Sequence, residues 1–460
     1  MVDLAITGAS VVTPSGSRAA DIGIAAGQIK SLAAPGALGP AARTLDATGM
    51  IVMPGVIDAH THLDAEMFGS KSADDFESGT IAAACGGVTT IIDYAFQAPG
   101  GSLHDALEKW RDRAERRATI DYGFHVAILD PTRATLEEIP RVVEQGVTSF
   151  KIFMMRGFEE RARDFLRAFR AVADSGGILT IHAEDEHLIG HCTDRLVQAG
   201  CTSVAHYGAS RPPVSESAAV ARGLKMAEVT QAPAYFVHLS SAAAIDEIRR
   251  ARDRGSFVLA ETRPIYLYLT EERFLEPQGE KYVGQPPLRG HSDVEALWKA
   301  LADGTIDVVA TDHCSWSLER KLAAQRFTRI LPGVANLETF VPMLYSEGVA
   351  NGRITIERMV DLVATNPARI FGIYPRKGAI IEGADADLTV FDPHARTTIH
   401  ASAMHSRADY DPFEGFEVTG WPAFTISRGE VIVESREPRA RAGRGKFLVR
   451  DRFRRETIRI

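Results

Sequence analysis

Apolar residues along this chain follow two rhythms. From Val2 to about Met53, short β-type runs at residues 4–6, 11–13, 21–24 and 28–32 are broken by Gly and Pro, and similar runs return after Tyr374, in A-D-L-T-V-F from Ala386 and in A-F-T-I-S-R-G-E-V-I-V-E from Ala423. Neither end carries enough strands for a stable sheet of its own, so the two are expected to join. Between them, short apolar runs alternate with longer charged, amphipathic stretches. The runs are I-V-M-P-G-V-I-D-A-H from Ile51, V-T-T-I-I-D-Y from Val88, Y-G-F-H-V-A-I from Tyr122, V-T-S-F-K-I-F from Val147, I-L-T-I-H from Ile178, A-Y-F-V-H-L from Ala234, F-V-L-A-E-T from Phe257 and D-V-V-A-T-D-H from Asp307. Helical stretches such as 103–117, 136–145, 161–174, 215–230, 242–254 and 292–301 separate them. Alternating strands and helices predict a parallel sheet. Eight such units predict an α/β fold with a closed, TIM-like (β/α)8 barrel; a doubly wound open sheet is the alternative. The expected organisation is a β-sandwich domain from residues 1–53 and 374–440, a barrel from 54–373 and a C-terminal arm from 441–460.

Composition narrows the class. With 45% hydrophobic residues the chain can bury a large core, and a net charge of −8 gives no support for a nucleic-acid surface. The one basic concentration, at residues 439–459, reads as a solvated or interface-docking tail. Four cysteines (Cys85, Cys192, Cys201, Cys314) without framework spacing point to reduced thiols and a cytoplasmic protein. The first residues lack a cationic region followed by a long apolar one, and no run reaches the roughly 18 apolar residues a membrane helix needs. A soluble protein with no membrane partner is expected.

Candidate chemistry gathers at the ends of the predicted strands. His60 and His62 lie two apart, so in an extended strand both project to one face and could share a cation. Lys151 sits inside the apolar run S-F-K-I-F-M, where a free ammonium is costly; it either snorkels to the barrel mouth or is chemically altered. Carbamylation by CO2 would remove its charge and supply two oxygens able to bridge two metals. His182 and His238 each end a β-rich run; either alone reads more often as a hydrogen-bonded core or mouth histidine than as a ligand, but together they supply nitrogen donors for a second cation. Asp312, in V-V-A-T-D-H, could cap the next helix or serve as a ligand that also carries protons. These candidates fall at the same end of predicted strands one, four, five, six and eight, which a two-metal hydrolytic centre explains.

These motifs resemble the amidohydrolase superfamily, and within it the hydantoinase/dihydropyrimidinase branch of cyclic amidohydrolases. The resemblance rests on P-G-V-I-D-A-H-T-H-L-D from Pro54, S-A-D-D-F-E-S-G-T from Ser72 with A-A-A-C-G-G-V-T-T-I-I-D-Y after it, S-F-K-I-F-M from Ser149, H-A-E-D from His182, Y-F-V-H-L-S-S from Tyr235, E-T-R-P-I-Y-L-Y-L-T from Glu261, Q-P-P-L-R from Gln285 and A-T-D-H-C from Ala310. It covers nearly the whole chain. It implies two divalent cations, usually zinc: one held by His60, His62, carbamylated Lys151 and Asp312, the other by Lys151, His182 and His238. It implies attack on a ring amide, with Asp312 passing a proton from the nucleophile to the departing nitrogen and an N-carbamoyl amino acid as product. A homotetramer, with the C-terminal arm reaching a neighbouring subunit, is also implied.

Two positions depart from the branch. Five residues after the modified lysine the family usually carries tyrosine; here Arg156 stands there, which favours a substrate with an anionic substituent. Gln285 replaces the common serine before P-P-L-R, and Asn336 resembles the other ring-contacting position, although a loop-stabilising asparagine is an equal reading. The runner-up activities are those of allantoinases and dihydroorotases, but Asp64 stands where dihydroorotases carry arginine. The branch also holds non-catalytic scaffold relatives that have lost metal ligands; this chain keeps every candidate.

Overall fold

The computed structural model describes residues 2–155 and 157–458. The two rhythms of the sequence become two sheets. In the first, β1 (Val2–Thr13) turns into antiparallel β2 (Gly16–Ala25), which pairs with β3 (Gln28–Ala33). β1 then forks the sheet: its first half pairs in parallel with β4 (Ala41–Asp46) and its second half with β5 (Ile51–Pro54). The far end of the chain completes it, with β16 (Leu388–Thr398) antiparallel to β5 in the register Val390 to Val52, followed by β17 (Glu417–Ser427), β18 (Glu430–Glu434) and β19 (Glu437–Pro438). Ile6, Val11, Ile22, Val52, Leu388 and Ile426 form its dry core.

The run from Ile51 divides at Gly55, so that β5 stays in the end sheet while β6 (Val56–Thr61) opens the barrel. A small hairpin, β7 (Glu66–Met67) and β8 (Ser70–Lys71), stands at the mouth. The other barrel strands are β9 (Val88–Phe96), β10 (Asp121–Ala127), β11 (Ser149–Phe153), β12 (Ile178–His182), β13 (Ala234–Phe236), β14 (Val258–Thr262) and β15 (Val308–Val309). All eight lie side by side in chain order, and all their pairings are parallel. The ring closes between β15 and β6: His313 bridges Thr61, and the Thr311 amide and hydroxyl donate to Asp58 at 3.1 and 2.6 Å. A doubly wound sheet would leave those two edges apart.

Helices Leu103–Glu115, Arg133–Glu144, Ala162–Asp174, Pro213–Thr230, Ala242–Asp253 and His291–Asp303 surround the barrel, close to where the amphipathic pattern places them. Several start at side-chain caps; Ser102 accepts from the Asp105 amide and Ser241 from the Ala244 amide. Helix Phe76–Cys85 packs between β9 and the end sheet and buries nearly every residue, so it has no polar face to betray it. Helix Glu186–Gln198 is the opposite case, burying Ile189 alone.

The basic C-terminal segment lies across the base of its own barrel. Gly445 N donates to Ala118 O, Leu448 N to Tyr122 O, Arg450 N to Gly146 O and Phe453 N to Gly176 O, at 2.8 to 3.1 Å. The buried Arg450 guanidinium donates to the Phe124 carbonyl and reaches toward the Phe371 ring. Among the described residues no helix is long and apolar enough to cross a membrane.

Candidate metal centre

Because the strands are parallel, their carboxyl ends share one rim, and the candidate residues arrive there by position in the chain. His60 is the penultimate residue of β6 and His62 follows its end; Lys151 is central in β11 and His182 closes β12. His238 and Asp312 lie just beyond β13 and β15, each with positive φ, 43° and 47°. Few residues other than glycine adopt that region, and here it bends the chain as it leaves the strand.

All six side chains are buried and converge. Asp312 Oδ1 is 3.2 Å from His60 Nε2 and 2.9 Å from His62 Nε2. His182 Nδ1 is 3.1 Å from His238 Nε2. One ligand atom from each of His60, His238 and Asp312 lies within 4.8 Å of the other two. Lys151 Nζ lies over the Tyr94 ring, 4.8 Å from its centre.

The donors fit a divalent cation. Three buried imidazole nitrogens, His60 Nε2, His62 Nδ1 and His238 Nδ1, have no hydrogen-bond partner among the described residues. A buried polar atom left unpaired costs about 1–3 kcal/mol, and a neutral imidazole nitrogen is a favoured metal donor. Burial, reinforced by the Lys151 charge, holds His60 and His238 well below the ordinary histidine value, so both are neutral. Burial also lowers Lys151 to about 7 against the pull of Asp312 and Glu261, leaving much of its amine uncharged near neutrality. Burial opposes the charge on Asp312, but the Arg263 guanidinium, aided by the hydrogen bond with His62, outweighs it and holds the carboxyl well below the usual range.

A supporting layer surrounds these groups. Glu261 on β14 accepts from His60 Nδ1 (2.7 Å), the His238 amide (3.0 Å) and the Tyr235 hydroxyl (2.7 Å). Glu184 sits 2.9 Å from His182 Nε2 and is gripped by Arg211, which outweighs burial and holds the carboxyl down at about 2. Arg263 lies 3.1 Å from Asp312 Oδ2. The sequence reading missed all four. For Glu261 and Arg263 the signal was there: strand seven offered no ligand, yet its apolar run ends in E-T-R.

A cavity of about 540 Å³ opens over the centre. Met67, Phe68, Phe96, Trp110, Phe153 and Met155 give it apolar walls, and Gln97, Arg263 and Gln285 line its polar side. Gln285, a candidate substrate contact, is among these lining residues. Asn336 is buried outside the cavity lining; its amide donates to His313 Nδ1, and its side-chain oxygen and nitrogen have no partner among the described residues. Arg156 lies outside the described residues. Asp64 pairs with Lys71 at 2.6 Å and offers no cation to a substrate anion.

The amidohydrolase family matches residues 51–432. A D-hydantoinase of Ralstonia pickettii is 40% identical over 98% of this chain and 100% of its own, and a D-hydantoinase of Rhizobium radiobacter is 42% identical over 94% and 95%. The crystal structure of a dihydropyrimidinase from Brevibacillus agri superposes with a TM-score of 0.95 at 35% identity, covering 98% of this chain and 99% of the other. The chain belongs to the amidohydrolase family.

Proposed function

We propose that the chain hydrolyses a cyclic amide or ureide of the hydantoin or dihydropyrimidine type, opening the ring to an N-carbamoyl amino acid. Relatives named for D-hydantoinase activity, similar over nearly the full length, support this class of reaction. The observation that carries it is the gathering of His60, His62 and His238, each with one imidazole nitrogen left unpartnered among the described residues, around Asp312 and a buried lysine lowered to about 7, beneath one cavity.

On this reading His60, His62, Lys151 and Asp312 hold one divalent cation, zinc in the first instance, and Lys151, His182 and His238 hold a second. Bound metal would polarise the ring carbonyl and make water nucleophilic at neutral pH. Lys151 joins the ligand set as its CO2-derived carbamate, since a neutral amine is the form that captures CO2. Asp312, kept ionised by Arg263, takes the proton of the attacking water and returns it to the leaving ring nitrogen. Gln285 faces the ring and the aromatic wall takes its substituent. An anionic substituent follows from Arg156, and the substrate contact expected of Asn336 would fall to its unpaired side-chain carboxamide, which lies outside the cavity lining in this structure. On the family resemblance the chain works as a homotetramer, and four cysteines outside any disulfide suit a cytoplasmic setting.

The test is metal analysis of protein grown with zinc and bicarbonate, intact mass for one added CO2, and a ring-opening panel of hydantoins, dihydrouracil, allantoin, dihydroorotate and carboxylated hydantoins. Metal near two ions per chain, the added mass, and turnover of hydantoin or dihydropyrimidine rings are expected. Well under one ion per chain, with no ring opened, would return the chain to the scaffold reading.

A further inference from the structure

Arg263 is completely buried just beyond the end of β14, and its guanidinium is turned toward one short stretch of chain. Nε donates to the Thr311 carbonyl at 3.1 Å, Nη2 to the Asp312 carbonyl at 3.4 Å, and Nη1 lies 3.1 Å from Asp312 Oδ2. Asp312 is the residue there that needs holding, because its φ of 47° lies in the left-handed region. Its two carboxylate oxygens are divided: Oδ1 faces His60 and His62, and Oδ2 faces Arg263. The slot is cut to the fork. Tyr266 lies under the guanidinium, 5.4 Å from its carbon to the ring centre, and a Cβ on Gly284 would come within 3.1 Å of Nη1. A lysine ammonium could reach one of the three acceptors but lacks the planar fork that holds them together.

We infer that Arg263 is a positioning residue: it fixes the backbone and carboxylate of Asp312 in the orientation that proton transfer requires. The inference rests on the proton-carrying role given to Asp312 above. Because Arg263 also lines the cavity and its Nη1 makes no hydrogen bond among the described residues, the competing role is a direct contact with the ring, which would appear in KM rather than kcat.

The experiment compares wild type, Arg263→Ala and Arg263→Lys on a hydantoin substrate, with metal content measured for each, and adds millimolar guanidinium chloride to Arg263→Ala. A misplaced proton carrier costs about 10²-fold, so kcat should fall about that far with KM within about twofold. Guanidinium should restore part of the rate; equal sodium chloride should not. Arg263→Lys, which keeps charge and most of the volume, should still lose about tenfold or more in kcat, so an unfolded alanine variant does not leave the idea untested. Crystal structures of metal-free wild type and Arg263→Lys supply a readout independent of turnover, with the Asp312 carboxylate or φ expected to shift. Wild-type kcat in Arg263→Lys, or a KM rise at constant kcat, overturns the inference. If wild type opens no ring at all, the functional reading has failed instead, and the Asp312 geometry in the two metal-free structures alone decides the role of Arg263.

Discussion

Glu261 shows how much of a site can rest on a residue that touches neither solvent nor cavity. One carboxylate answers three donors, from His60, His238 and Tyr235. Burial pushes it up to about 8, against Tyr235 and Lys151, which favour its charged form. By ordering one imidazole and the backbone of another it sets the aim of two of the proposed ligands. Glu261→Gln is expected to weaken metal retention about 10–100-fold, with little loss of fold, measured by competition with a chelator; retention equal to wild type would show that the histidines hold their own orientation. The ligand candidates were legible because a polar side chain at the end of an apolar strand has few structural uses. Glu261 and Arg263 were signalled only by the polar end of strand seven, because their partners lie on neighbouring strands, and Glu184, two residues after His182, is paired with it only once β12 and its following loop fold.

At the level of elements, strands were easier to read than helices for a physical reason. The barrel strands are buried on both faces and so appear as short, mostly apolar runs with few charged residues. Helix Phe76–Cys85, covered by both sheets, and helix Glu186–Gln198, nearly uncovered, lack the single apolar stripe that periodicity detects. The C-terminal segment was legible as basic but not as a floor, since its contacts are backbone bonds to distant turns. Gly445 is the tightest of them: a Cβ there would press on the Ile120 carbonyl. Gly445→Ala is therefore expected to cost about 1–3 kcal/mol and to speed proteolytic clipping of the segment. A melting curve and clipping rate unchanged from wild type would mean that the segment is anchored elsewhere.

Across the whole molecule, the end sheet and the barrel are joined at Lys377. Its buried ammonium pairs with Asp121 of β10 at 2.8 Å, with Asp385 at 3.3 Å and with Asp387. Burial opposes the charge on Asp121, but Lys377 and Arg428 outweigh it and lower its carboxyl; the same aspartates raise Lys377. The lowered Asp121 contributes stability above about pH 4 that is lost as pH falls through its folded value. The raised Lys377 contributes below about pH 10, lost as pH rises through its own. Lys377→Met strands the carboxylates and is expected to cost about 3–5 kcal/mol at neutral pH, with the deficit shrinking in acid as they protonate. Denaturant titrations at neutral and acid pH would show it, and a pH-independent deficit would point to lost packing instead.

The pairing of β5 with β16 also sets a timetable. On the ribosome, β1 to β5 emerge before the barrel, yet the strand that covers their edge starts at Leu388, 334 residues after Pro54. At about 5–20 residues per second that is a delay on the order of half a minute. During translation the nascent chain therefore carries an open, apolar strand edge, the feature that invites intermolecular pairing. Recombinant yield should accordingly respond to translation speed and chaperone supply more than to the thermal stability of the finished protein.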